Sequence, residues 1–262
     1  MAIKIGNNDI TFKVGSADCT VYLGETLMYS GGSQPTPPSP YYTEYLTFVV
    51  EQSGTIMSYF QFSYSLDDGS TWSTVYGQYE MINVNAGDKV LIKDMVRSGW
   101  AANASFNFMS GSYSVEGNIM SLLFGDNFIG QTDLTGYNHA FDNLFENCSR
   151  YITSFDNLVL PATTLSEGCY YQMFEGCTSL TTAPQLPATT LAKDCYYQMF
   201  DGCTNLNSIT CLATDISATQ CTENWAFGVA SSGTFIKNPS MTSWSSGNSG
   251  IPSNWTVVDY TG

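Results

Sequence analysis

Cations are the scarcest chemistry in this sequence. Lys and Arg number 8 against 23 Asp and Glu in 262 residues, a formal net charge of −15. Nucleic-acid affinity rests on neutralising phosphates with Lys and Arg, and attraction to anionic lipid needs the same residues, so the balance argues against both partners. A single histidine, His139, and the lack of any Cys-x-x-Cys pair argue against a Cys/His zinc site; no metal or cofactor is expected. No apolar run approaches the ~18 residues of a membrane span, and the opening from Met1 to Asp9 lacks the apolar stretch of a secretory signal. The expectation is a chain made in a cytoplasm and released without a secretion signal of its own, as virion proteins are. Charged residues are also sparse, 12% where about a quarter is usual. The polar exterior must come from Ser, Thr, Asn, Gln and Gly, a habit of β-rich extracellular and virion proteins.

What the chain does have is a near-duplicate. Leu160-Pro161-Ala162-Thr163-Thr164-Leu165 returns as Leu186-Pro187-Ala188-Thr189-Thr190-Leu191, and Cys169 to Phe174 returns as Cys195 to Phe200. Over 160–184 and 186–210 the step is 26 residues, and 16 of 25 positions are identical. A period of this length is the mark of a solenoid. A degenerate leading copy matches Phe145-Glu146-Asn147-Cys148-Ser149 to Phe174-Glu175-Gly176-Cys177-Thr178, three residues longer than the regular step. A trailing copy keeps Leu212, Cys221 and Gly228 but loses the tyrosine pair. Within a coil, Leu191, Cys195 and Met199 lie four apart, which predicts a short helical turn over about 192–200 and then a short strand near 205–209. Thr164-x-x-Glu167 suits a helix capping box. Leu-Pro-Ala-Thr-Thr resembles a sortase signal, but Thr164 stands where Gly is needed and the motif occurs twice, internally; it reads as a corner of the repeat.

The fold class that follows is mainly β with short helices. Alternating apolar residues over 1–32 (Ile3 and Ile5; Ile10, Phe12 and Val14; Val21 and Leu23) predict a small β-rich anchor that is too short to be stable alone. Gly31-Gly32 leads into a Gly/Pro linker over 33–40, a semi-rigid spacer. Residues 41–116 read as a small antiparallel, sandwich-like β domain, 117–230 as the repeat array with the apolar run from Ile119 to Phe124 capping its first coil, and 231–262 as a C-terminal cap. Within the β domain, Ser65-Leu66-Asp67-Asp68-Gly69-Ser70-Thr71-Trp72 fits an Asp-box. Asp67 braces a hairpin turn, Gly69 supplies a positive φ and Trp72 folds back over it. Asp-boxes occur in sialidases, but the motif is structural. The two positioned carboxylates that glycoside hydrolysis needs are not identifiable among 23 acids, and no catalytic residue is assigned.

Of eight cysteines, Cys169, Cys195 and Cys221 fall on the 26-residue step, as do Cys177 and Cys203. Such columns read first as small buried hydrophobes; disulfides remain the alternative. The tyrosines are the candidate binding residues. Tyr170 and Tyr171, and again Tyr196 and Tyr197, are neighbours, so one of each pair is expected to face outward and form a ladder for sugar faces or protein contact. The competing reading packs both rings in or between coils. Trp100 is a further candidate.

Phe-x-Gly-Cys-Thr-x-Leu at 174–180 and 200–206, preceded by Leu-Pro-Ala-Thr-Thr-Leu, resembles the BspA-like leucine-rich repeats of Bacteroidales surface proteins. Gly117 to Phe128 is similar to the lead-in of such arrays, and Phe235 to Pro239 with Gly250 to Val257 to their ending. Val21-Tyr22-Leu23-Gly24-Glu25-Thr26-Leu27-Met28-Tyr29-Ser30-Gly31 is similar to a segment near the start of tail and fibre proteins of phages (crAss-like) that infect these bacteria. The resemblance implies a non-enzymatic head or tail fibre subunit in a virion. Residues 1–32 would join other virion proteins, and the repeats would meet a host surface receptor or glycan. A homo-oligomer, with a trimer favoured, is expected. A bacterial cell-surface adhesin is the alternative and a glycan-active enzyme a remote one.

Overall fold

A computed structural model describes residues 2–5, 8–14, 19–23, 26–30 and 40–261, apart from 78, 98–104 and 243. Residues 1–40, with 261 and 262, form one compact unit, and 41–260 a second. The first unit is an antiparallel meander of β1 (Ala2–Ile5), β2 (Asn8–Val14), β3 (Cys19–Leu23) and β4 (Thr26–Ser30), in that order. Its register pairs the alternating apolar positions, with Ile3 opposite Ile10 and Phe12 opposite Val21. The expected linker falls outside the described residues except for Pro40, which opens a 3-10 turn to Thr43.

The second unit begins with β5 (Leu46–Ser58), β6 (Gln61–Ser65), β7 (Ser73–Tyr76), β8 (Glu80–Val84), β9 (Lys89–Val96) and β10 (Asn107–Asn118). With β11 (Ile152–Val159) these make one seven-stranded sheet, ordered β11-β10-β5-β9-β6-β7, with β8 also on β5. The 13-residue β5 pairs β9 through Leu46–Val49 and β8 through Gly54–Ser58. The expected antiparallel pairing holds throughout β5 to β10, in one sheet and not a two-sheet sandwich, and the sheet as a whole is mixed. The reason lies in β10, which runs antiparallel to β5 and parallel to β11. The division expected at 116/117 falls inside this strand. Its core packs Phe48, Phe60, Phe62 and Phe106 edge to face, with Phe48 and Phe106 centroids 4.9 Å apart.

The apolar run after β10 forms α1 (Ser121–Phe124), the one α-helix among the described residues. Leu122 is buried, and the Ser121 hydroxyl accepts from Leu46 N–H and donates to the Ile92 carbonyl, fixing the turn beneath the sheet.

From there the chain is laid down in layers. The segment read as a helical turn is instead a ribbon of consecutive β-turns. In the layer from Gly168 to Gly176, the N–H groups of Tyr171, Met173 and Glu175 close turns on carbonyls three residues back. The alternate N–H groups, of Gly168, Tyr170, Gln172, Phe174 and Gly176, donate to Lys193, Cys195, Tyr197, Met199 and Asp201 of the next layer. The same ladder runs from His139–Asn147 to Glu167–Glu175, and from Asp194–Gly202 to Thr219–Phe227. Every fourth residue is left-handed: His139, Asn143 and Asn147, then Gly168, Gln172 and Gly176, then Asp194, Gln198 and Gly202, then Gln220, Asn224 and Gly228. Gly tolerates this conformation freely and Asn and Asp more readily than most. This four-residue period, not the 3.6 of an α-helix, produces the Leu191, Cys195, Met199 spacing. No capping box forms: Thr164 bridges to Asp133, and the Glu167 carboxylate takes Lys193.

Inside, equivalent side chains stack. Phe106, Phe145, Phe174 and Phe200 form one column with centroid steps of 5.9, 5.8 and 5.8 Å. Tyr170, Tyr196 and Trp225 continue a second from Phe141. Ala162, Ala188 and Ala213 are buried at the Leu-Pro-Ala-Thr-Thr corner and its trailing counterpart, while Thr163, Thr164, Thr189 and Thr190 are exposed. A parallel sheet of β12 (Ser208–Cys211), β13 (Thr234–Lys237) and β14 (Thr256–Asp259) ends the stack. There the indole of Trp225 donates to the Gly250 carbonyl (2.7 Å) and that of Trp255 to Ala230 (2.8 Å).

Candidate binding ridge

The ribbon geometry decides which tyrosine of each pair faces out. Tyr170 and Tyr196 are 1% exposed, between layers. Tyr171 and Tyr197 are half-buried on the outer side, with ring centroids 4.6 Å apart and an interplanar angle of 1°. Burial of the Tyr171 phenol, then Tyr197 and nearby carboxylates, raise its pKa from its ordinary value. The His139 imidazole stands 6.4 Å from the Tyr171 ring at 60°. The position equivalent to Tyr171 one layer earlier is Asp142, whose side chain is buried against Arg97 (2.6 Å) and lies 3.5 Å from His139 Nδ1. Burial raises the Asp142 pKa, and Arg97 opposes that shift. Trp100 lies outside the described residues.

Beside the tyrosines run two rows the sequence reading did not single out. The first is Asn143, Gln172 and Gln198, the left-handed residues of successive ribbons. Gln172 Nε2 donates to Gln198 Oε1 at 3.1 Å. The second is Glu146, Glu175 and Asp201, each accepting from the amide of its own layer: Asn143 to Glu146 at 2.9 Å, Gln172 to Glu175, and Gln198 to Asp201 at 3.2 Å. Burial, then the neighbouring Glu146 and Asp201 carboxylates, raise the Glu175 pKa; burial raises that of Asp201. The duplicate carries the signal for both rows, since Gln172/Gln198 and Glu175/Asp201 hold the same step as the tyrosines.

Comparison with family models, curated proteins and solved structures gives no match. The ridge must be read from its own chemistry: two aromatic rings, a row of amides and a row of carboxylates, repeated at the interlayer spacing.

The other residues singled out in the sequence take structural places. Cys148, Cys169, Cys177, Cys195, Cys203, Cys211 and Cys221 are free and buried; of Cys19 only the backbone is described. The thiols of Cys177 and Cys203 donate to the carbonyls of Phe145 (2.8 Å) and Phe174 (3.0 Å), tying each layer to the one before. Burial pushes Cys169, Cys177 and Cys211 up to about 12, so the nucleophilic thiolate is suppressed. In the Asp-box, Asp67 accepts from Thr71 N–H and hydroxyl (both 2.8 Å) and from Ser65 (2.7 Å), which lowers its pKa. Gly69 has φ +82°. The Trp72 indole donates to the Gly69 carbonyl, and Lys93 Nζ sits 4.0 Å from a Trp72 ring centroid. Its polar groups are committed to the hairpin. No helix among the described residues is long and apolar enough to cross a membrane.

Proposed function

We propose that this chain is a non-enzymatic fibre subunit of a phage virion that meets the host surface through the Tyr171–Tyr197 ridge. The layers are read as a short leucine-rich-repeat solenoid and residues 1–32 as the attachment to other virion proteins. The observation that carries the binding reading is the pair of parallel, half-exposed rings flanked by amides and carboxylates. Such a surface offers apolar area at low entropic cost together with directional hydrogen bonds to a saccharide or a polypeptide. A single contact of this size is weak. Display on a homo-oligomer, a trimer in this reading, supplies affinity by multivalency.

The test is binding of the full chain to intact Bacteroidales cells. Tyr171→Ala/Tyr197→Ala is expected to lose binding with an unchanged circular-dichroism spectrum. Tyr76→Ala, which removes a 67% exposed ring from β7, is expected to keep it. Equal binding by the folded double variant and the parent would refute the proposal.

A further inference from the structure

Two stacked rings have four faces, and two of these are turned on each other. At 4.6 Å no ligand enters between them. A row of rings stacked along the layers presents edges outward, and ring edges are poor platforms for a sugar face or a cation, which the π face attracts. One outer face, that of Tyr171, looks toward the layer of His139. The other, that of Tyr197, looks toward the next layer, where the position 26 residues on is Glu223. The register is fixed by Gln198 N–H, which donates to the Glu223 carbonyl at 2.9 Å. Glu223 is exposed. Its side chain makes no hydrogen bond or ion pair among the described residues.

Resting on the ridge as the contact surface, we infer that the slot between the outer face of Tyr197 and Glu223 takes the guanidinium of an arginine on a partner polypeptide. The group is flat, so it fits where the next ring of the row would lie, and it stacks on aromatic faces. Its fork of N–H donors matches the Glu223 carboxylate. The charge agrees. The chain is net −15, and Lys193, four residues before Tyr197, is already held by Glu167 at 2.6 Å and lies 3.5 Å from Asp194. A neutral sugar would use the ring face but leave the Glu223 carboxylate unpaired.

The experiment uses the full chain with ring-labelled tyrosine, observed by NMR and assigned with Tyr197→Phe. The probes are N-acetylarginine amide, its neutral twin N-acetylcitrulline amide, and methyl β-D-galactopyranoside. Arginine amide is expected to shift the Tyr197 ring signals saturably, and citrulline amide to bind about fivefold more weakly or worse. Glu223→Gln should lose a similar factor. Glu223→Tyr, which lays a third ring over the face, should abolish the shift, and Tyr197→Phe should keep arginine binding as read on the Tyr171 signal. Shifts at Tyr197 from the galactoside but not from arginine amide would overturn the guanidinium and leave the ridge as a saccharide site. No response at Tyr197 to any probe would overturn the slot. Cell binding by the Tyr171→Ala/Tyr197→Ala variant is read separately, so failure of the slot and failure of the ridge are distinguishable.

Discussion

Phe174→Ala should be among the most damaging single changes in the layered part of the chain. Phe174 is fully buried. Its ring stacks on Phe145 at 5.8 Å and 16°, on Phe200 at 5.8 Å and 12°, and meets Phe155 edge-on at 5.1 Å. Removing a buried phenylalanine costs about 3–5 kcal/mol in transfer and cavity terms. Rings on both sides, pinned by interlayer hydrogen bonds, resist collapse into the hole, so the upper end applies. Against a total of about 5–15 kcal/mol, a loss of about 5 is a third or more of the stability. At about 2–4 °C per kcal/mol for a unit of this size, Tm should fall by roughly 10–20 °C. The assay is urea unfolding followed by tryptophan fluorescence, comparing midpoints at unchanged slope. Phe227→Ala, at a 52% exposed ring, is the control and should cost about 0.5 kcal/mol or less. Phe174→Ala/Phe200→Ala should differ from the sum of its singles by about 0.5–3 kcal/mol, since the two rings share a contact. A loss below about 1 kcal/mol for Phe174→Ala, or strict additivity with Phe200→Ala, would refute the column.

Three further outcomes follow from the same geometry. Burial raises the folded pKa values of Glu175 and Asp201 above their ordinary values. Their contribution to stability is therefore present at low pH and lost as pH rises through the raised values. Glu175→Gln should raise Tm at pH 7 and lose that advantage below about pH 4; a Tm lowered at pH 7 would contradict this. In a Cys19→Ser background, the seven buried thiols should be silent to a thiol reagent at pH 8 in the native state and all react after denaturation; one fast native thiol would contradict the buried columns. Gly202→Ala should destabilise by about 1–2 kcal/mol, because φ is +71° although a Cβ would have 3.6 Å to Gly176. Gly176→Ala should cost more, since its φ is likewise +71° and its Cβ would in addition push the Asn147 side chain aside. Thermal unfolding of the pair checks the order.

The repeat was the most legible part of the sequence because stacking demands like residues at like positions. The 26-residue step set Phe174 over Phe200, Tyr171 over Tyr197 and Cys177 over Cys203. The offset of 29 for the leading copy placed Phe145 beneath Phe174. The Asp-box was legible for a local reason, as Ser65, Asp67, Gly69, Thr71 and Trp72 satisfy one another. The turn ribbon was not, because a period of four in Leu191, Cys195 and Met199 is close to that of a helix. Only the left-handed φ at Asp194, Gln198 and Gly202 distinguishes the two, and Gln and Asp do not announce it as Gly does. The parallel pairing of β10 with β11 was hidden by distance along the chain. Likewise nothing near Arg97 in sequence points to Asp142. The amide and carboxylate rows were present in the duplicate but masked by the tyrosines beside them.

The central claim is that a partner touches the chain at the open end of the tyrosine row. Site-specific photocrosslinking on intact Bacteroidales cells tests it most directly. A photoreactive side chain is placed in turn at Glu223, at Thr190, exposed on the corner of the Tyr197 layer, and at Tyr76. Cell-surface adducts from position 223, absent from 190 and 76, are the predicted result. Adducts from 190 or 76 with none from 223 would contradict the account.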